Sequence, residues 1–299
     1  MNDDQQQRIQ NGTGFIAALD QSGGSTPKAL AMYGVTEKEY HDDKEMFAKV
    51  HEMRTRIMTS DKFDGERVLG AILFEDTMDR QVNNKPTANY LWEDKNIVPF
   101  LKIDKGLAEQ QADVQVMKPI PNLASLLQKA KNYPIFGTKM RSVIHAANVD
   151  GIEIVVQQQF DVAKQILSEG FMPIVEPEVN IHAKDKQEAE VILKAQILRQ
   201  LERLTDDQQI MLKLTLPEQA GFYDELVNHP KVLKVVALSG GYSRDDACQR
   251  LSENKGMIAS FSRAFTEGLS KGQTDAEFDA TMDNSIQQIY QASHVQTSR

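Results

Sequence analysis

The chain has 299 residues, 40% hydrophobic and 26% charged, with a formal net charge of −9. That composition excludes wholesale disorder, and no run of about 18 apolar residues is present to cross a membrane. The acidic balance excludes a general nucleic-acid binder, which needs a basic stripe, and the single cysteine, Cys248, excludes an internal disulfide.

The opening stretch, MNDDQQQRIQ, is polar and lacks the apolar segment of a secretory leader, so a cytoplasmic protein is expected. Short apolar runs of buried-strand length then recur along the chain: residues 14–20 (GFIAALD), 67–74 (RVLGAILF), 98–104 (VPFLKID) and 135–140 (IFGTKM). A helix follows, with Val156, Phe160, Ala163 and Leu167 on one face and Gly170 placed to end it. After the run at 171–179 (FMPIVEPEV), Val191, Ala195 and Leu198 predict the apolar face of the next helix. The runs at 209–216 (QIMLKLTL) and 232–239 (VLKVVALS) come next. A helix over 243–251 is opened by Ser243 as N-cap, with Asp245 and Asp246 in its first turn, and the last run is 256–262 (GMIASFS).

Eight strands alternating with helices predict α/β architecture with a parallel sheet, and eight in about 250 residues is the count of a (β/α)8 TIM barrel. An open doubly wound sheet would show fewer strands and a glycine-rich first turn. Length alone suggests two domains at about 150 residues each. With no linker and no repeat, the expectation is instead one domain, its barrel over about 12–272 and a C-terminal helix and tail over about 273–299.

Polar residues fall at one end of these runs, the end where barrel enzymes carry their chemistry. The first run ends in Asp20. The third carries Lys102 and Asp104, the fourth Lys139 followed by Arg141, the fifth Glu176 and Glu178, and the sixth Lys213. The seventh leads into Ser239-Gly240-Gly241 and the eighth into Ser260, Ser262 and Arg263. A lone charge at a strand end is ordinarily a snorkelling side chain or a structural ion pair. Charges entering five of eight strands near the same end point instead to a functional cluster.

Three lysines converging with two or three carboxylates suit Schiff-base chemistry. Mutual repulsion and burial are expected to lower a lysine pKa, making the amine a nucleophile toward a carbonyl carbon, while a carboxylate shuttles the protons. The surplus of cations suggests an anionic substrate. Ser239-Gly240-Gly241 and Ser22-Gly23-Gly24-Ser25 each follow a strand and precede a helix, so their backbone N–H groups can cradle a phosphate, although each alone reads equally as an ordinary turn. Arg263 suits a bidentate grip on a phosphate. The six histidines (His41, His51, His145, His182, His229, His294) form no metal-ligand spacing, so no histidine-held metal and no cofactor is expected; His41 and His51 read as helix-surface residues. Carboxylates alone leave a magnesium ion open. There is no dinucleotide or nucleotide-binding fingerprint.

Seven segments in order, ALDQSGGSTPK, FLKIDKG, GTKMRS, IVEPEV, MLKLTLP, LSGGYSRDDA and SFSRAF, resemble the class I (Schiff-base) fructose-bisphosphate aldolases in their short bacterial form, over about residues 12–290. The resemblance implies a metal-independent, reversible cleavage of fructose 1,6-bisphosphate to dihydroxyacetone phosphate and glyceraldehyde 3-phosphate, on a barrel fold. It implies Lys213 as the Schiff-base lysine, Glu176 as acid/base and Asp20 as the base at the C4 hydroxyl. Lys139 would contact hydroxyls, and Glu178 would hold the lysine array. Ser239, Gly240, Ser262 and Arg263 would form the C1-phosphate side; Ser22, Ser25, Lys102 and Arg141 would form the C6-phosphate side. Two positions depart from the animal pattern: Gln21 stands where those members carry an acid, and Ser262 where they carry a glycine. The chain also lacks a terminal tyrosine, and Tyr290 is not assigned its role.

Rival readings are another Schiff-base barrel enzyme, such as a transaldolase or a tagatose-bisphosphate aldolase, and a non-enzymatic sugar-phosphate sensor or surface adhesin. The expected partner is a small sugar bisphosphate, with no nucleic acid and no membrane span; a homo-oligomer is left open.

Overall fold

A computed structural model describes residues 1–294; the end of the expected tail, beyond residue 294, lies outside the described residues. Eight strands form the barrel: β1 Phe15–Leu19, β2 Val68–Leu73, β3 Val98–Lys102, β4 Gly137–Ile144, β5 Met172–Val179, β6 Ile210–Thr215, β7 Val232–Leu238 and β8 Ile258–Ala259. Each pairs in parallel with the next in chain order. The ring closes where the Ala18 N–H donates to the Phe261 carbonyl at 3.3 Å. Every expected run coincides with one of these strands. β4 reaches further than expected, because residues 114 and 115 pair antiparallel with Ile144 and Val143 and carry the ladder on.

Two-residue alternation sorts each strand into an inner and an outer set. Ile16, Val98, Phe100, Met172, Ile174, Met211, Val236 and Ile258 belong to one buried cluster inside the barrel. Ala17, Leu19, Leu101, Met140, Val175, Leu212, Leu214, Val235 and Ala237 join the larger cluster beneath the helices. A helix at the start of the chain, α1 Asp3–Asn11, is capped by the Asn2 side chain and sends the fully buried Ile9 into the inner cluster.

The outer layer includes α2 Thr26–Tyr33, α3 Asp43–Thr59, α4 Leu123–Ala130, α5 Val149–Ser168, α6 Lys186–Glu202, α7 Arg244–Ser252 and α8 Asp275–Ser293. α5 ends as its sequence predicts. Gly170 adopts φ +83°, its N–H donates to the Leu167 carbonyl, and the Phe171 N–H donates to Ile166. These bonds satisfy carbonyls that the helix end leaves free. Ser243 caps α7 by accepting from the Asp246 N–H.

Two helix expectations are corrected. In α6 the buried face is Ala189, Leu193, Ile197 and Leu201, whereas Val191 and Ala195 are exposed and Leu198 is only partly buried. The helix carries two apolar stripes, and packing against α5 and the sheet chooses the one with larger side chains. His41 lies in the loop before α3, where its N–H donates to Glu45 Oε2 at 2.7 Å. Cys248 is buried on α7, and burial pushes its thiol up to about 11, so it is an unreactive packing residue. No helix among the described residues is long and apolar enough to cross a membrane.

Candidate active site

The inner parity of each strand continues past its apolar residues into polar ones. Ile16 and Ala18 lead to Asp20; Phe100 leads to Lys102; Ile174 leads to Glu176 and Glu178; Met211 leads to Lys213. Side chains that fill the barrel lower down are thus replaced at its C-terminal mouth by charges facing the same axis. There they line one cavity of about 580 Å³, together with Ser22, Ser25, Lys139, Arg141, Ser239, Gly240, Ser262 and Arg263. Every residue given a catalytic or phosphate-binding role from the sequence borders this space.

Lys139 is the hub. It is buried, and its Nζ lies 2.7 Å from Asp20 Oδ2 and 3.1 Å from Glu176 Oε2. Buried charges persist only when paired, and this ammonium pairs with both carboxylates. Burial pushes the Asp20 carboxyl up, but the ammonium groups of Lys139, Lys213 and Lys102 outweigh it and hold that carboxyl well below the usual range. Burial likewise opposes ionisation of Glu176, and Lys139, Lys213 and Arg141 bring it below its ordinary value. Burial would depress Lys139 too, but Asp20, Glu176 and Asp104 raise it. The expectation that crowding lowers the lysines is therefore reversed at Lys139: carboxylates, not other lysines, are its nearest charges.

Lys213, in the middle of β6, has its Nζ 3.6 Å from Glu176 Oε1. That separation is within charge reach but beyond a normal hydrogen bond. Glu176 is fixed by its backbone. Its N–H donates to Gln159 Oε1 at 2.9 Å, and its carbonyl accepts from Gln159 Nε2 at 3.0 Å, while the same Nε2 reaches Ser142 Oγ.

On one flank Lys102 Nζ donates to Ser22 Oγ at 2.8 Å and stands 3.6 Å from Asp104 Oδ1. Arg141 Nε donates to Glu178 Oε2 at 2.6 Å; burial lowers Arg141, and Glu178 more than restores it. Glu178 thus holds Arg141 rather than a lysine, which refines the place expected for it.

On the other flank Ser239 and Gly240 turn the chain after β7. Gly240 sits at φ +63°, and a Cβ there would lie 2.9 Å from Ile181 Cγ2, so both the backbone conformation and the close packing call for glycine. A Cβ on Gly241 would be 3.9 Å from Arg263 Nη2, so this turn and the guanidinium border the same space.

Tyr290 is remote from all of this. Its hydroxyl is 3.5 Å from Thr13 Oγ1 and its ring is 5.0 Å from that of His294, beside the start of β1. Asp20 lies past the other end of that strand, so Tyr290 takes no part at the mouth.

Two residues that position the site and one that borders it escaped the sequence reading. Gln159 is fully buried on the apolar face of α5, Arg54 is 1% exposed on that of α3, and Lys28 lines the cavity. A polar residue at the apolar spacing of a helix is the signal that marks the first two: Gln159 adjoins Phe160, and Arg54 follows Val50 by four.

An eight-stranded barrel with ion-paired lysines and carboxylates at its C-terminal mouth defines a barrel enzyme. The family model "Fructose-bisphosphate aldolase class-I" matches residues 2–220. A curated Synechocystis protein, "Fructose-bisphosphate aldolase class 1", is 59% identical over 292 residues, covering 98% of this chain and 97% of its own. Among solved structures, a Plasmodium falciparum fructose-bisphosphate aldolase superposes with a TM-score of 0.75 at 18% identity, over 97% of this chain and 93% of that one. A Corynebacterium glutamicum protein gives 0.57 at 12% identity, over 97% and 92%. The two structures show likeness of fold.

The chain belongs to the class I fructose-bisphosphate aldolases, lyases that work through a lysine Schiff base.

Proposed function

We propose that Lys213, Glu176, Asp20 and Lys139 carry out the reversible cleavage of fructose 1,6-bisphosphate in this chain. The observation that carries this reading is the continuous charge array Lys213–Glu176–Lys139–Asp20 inside one cavity.

Lys213 Nζ, as the free amine, adds to the C2 carbonyl, giving a carbinolamine. Glu176 moves the protons that let the C2 hydroxyl leave as water, and a protonated imine remains. Asp20, held ionised by Lys139, accepts the proton of the C4 hydroxyl. The C4–O bond becomes a carbonyl, the C3–C4 bond breaks, and its electron pair flows to C3 and the imine nitrogen as an enamine. Glyceraldehyde 3-phosphate departs. Protonation at C3 and hydrolysis at C2 then release dihydroxyacetone phosphate and regenerate Lys213. Lys139 contacts the substrate hydroxyls while holding both carboxylates. Ser239, Gly240, Ser262 and Arg263 receive the C1 phosphate; Ser22, Ser25, Lys102 and Arg141, the last held by Glu178, receive the C6 phosphate. The chain acts as one domain, in the cytoplasm, on a sugar bisphosphate.

The test is cleavage of fructose 1,6-bisphosphate in excess EDTA, with and without borohydride, followed by peptide mass mapping. Activity should survive EDTA, should be lost to borohydride only with substrate present, and should leave the adduct on Lys213. Loss to EDTA, or an adduct elsewhere, overturns the reading. Labelling of Lys213 by tagatose 1,6-bisphosphate but not by the fructose isomer would keep the mechanism and move the specificity.

A further inference from the structure

Gln21 and Ser262, the two positions that depart from the animal pattern, touch each other. Gln21 follows Asp20 past the end of β1, and Ser262 precedes Arg263 past the end of β8. Their strands meet at the seam that closes the barrel, and Gln21 Nε2 donates to Ser262 Oγ at 2.6 Å.

Residue 21 is held from both sides. Its carbonyl accepts from Arg54 Nη2 at 2.6 Å, and Arg54 Nη1 is itself fixed on Thr77 Oγ1 at 2.7 Å. Arg54 is buried, so this anchor is insulated from solvent. The Ser262 carbonyl accepts from the Phe265 and Thr266 N–H groups, which fixes that residue as well.

A hydroxyl that accepts one hydrogen bond keeps its own proton for another acceptor, and accepting makes it a better donor. Ser262 lines the cavity beside Arg263, Ser239 and Gly240. From this we propose that Gln21 is a positioning residue for phosphate binding: by donating to Ser262 it aims the serine hydroxyl, as a donor, at the phosphate ester gripped by Arg263. The proposal rests on the assignment of this flank to the C1 phosphate.

The amide is essential to the argument. A carboxylate of the same shape has no proton to give, so it would take the Ser262 proton for itself. It would also set a negative charge beside Arg263, against an incoming dianion. Losing either residue therefore removes the same aimed hydroxyl, and a carboxylate at position 21 adds a charge penalty to that loss.

The test uses the full-length enzyme, with fructose 1,6-bisphosphate as substrate and sulfate as a competing anion whose charge is constant from about pH 4 to 8. Gln21→Glu should raise KM and the sulfate Ki by about tenfold or more at neutral pH. The sulfate Ki should return toward the wild-type value only as the pH falls toward about 4 and the new carboxyl protonates. A merely structural role would give no such pH recovery. Gln21→Ala and Ser262→Ala should each weaken sulfate by about 3–10-fold, and the double variant no further than the weaker single. An unchanged sulfate Ki in Gln21→Glu, or multiplying effects in the double variant, overturns the proposal. Wild-type enzyme that neither cleaves the bisphosphate nor is trapped on Lys213 would instead overturn the functional reading beneath it.

Discussion

Glu176 Oε1 stands 3.6 Å from Lys213 Nζ, and Glu176 Oε2 stands 3.1 Å from Lys139 Nζ. One carboxylate thus faces two lysines, and it engages them unequally. The shorter contact keeps Glu176 ionised; the longer one leaves the Lys213 nitrogen unlocked, with room for a carbonyl carbon to approach.

Replacing that nitrogen removes the proposed nucleophile. Lys213→Ala should cut turnover by about three orders of magnitude or more while leaving the circular dichroism spectrum unchanged. Substantial residual cleavage in the purified variant would sink the assignment.

Glu176→Gln keeps the shape but removes the ionisable carboxyl proposed to carry the protons. The rates of imine formation and hydrolysis should fall by about 10²–10³-fold, measured by single-turnover trapping. Substrate affinity should change far less. A variant that loses binding instead of rate would make Glu176 a binding group only.

Lys139→Met removes the nearest cation from both buried carboxylates. Asp20 and Glu176 have folded-state values below their unfolded ones. They therefore contribute stability that is present above about pH 4 and is lost as pH falls through the depressed values. Lys139, raised in the fold, contributes stability below about pH 10 that fades as pH rises through its folded value. The stability gap between wild type and variant should be widest near neutral pH and should shrink on strong acidification, as followed by urea unfolding at several pH values. A gap independent of pH would contradict the charge coupling.

Arg263→Ala should raise KM for the bisphosphate by about 10–100-fold, the worth of hydrogen bonds to a charged group. Steady-state kinetics decides it, and an unchanged KM would count against the phosphate grip.

Gln159→Leu tests the clamp behind Glu176. It strands a buried N–H and a buried carbonyl, and should cost about 2–4 kcal/mol of stability. Denaturant unfolding reads the loss directly, and a change under about 0.5 kcal/mol would show that the clamp is not needed.

Much of the molecule was legible in its sequence. Each barrel strand is a short apolar run, and every one but β2 leads into a polar residue that reaches the cavity. The two-residue alternation that puts Ile174 inside also puts Glu176 and Glu178 on that side, so strand identity and site membership were read from the same letters. Less legible was α6, where two apolar stripes compete and only packing against neighbours buries Leu193 rather than Val191.

Sequence alone determined the barrel, its strands and the residues that gather at its mouth, because these follow from local periodicity and from the rule that strand ends face one way. Tertiary structure decided who pairs with whom. It gave Lys139 to both carboxylates and thereby raised a lysine that crowding was expected to lower. It gave Glu178 to Arg141, sent Tyr290 to the far end of β1, and brought Gln21 against Ser262 across the closing seam. Those outcomes depend on ångström-scale distances between residues far apart in the chain, and Coulomb and hydrogen-bond energies change steeply over such distances.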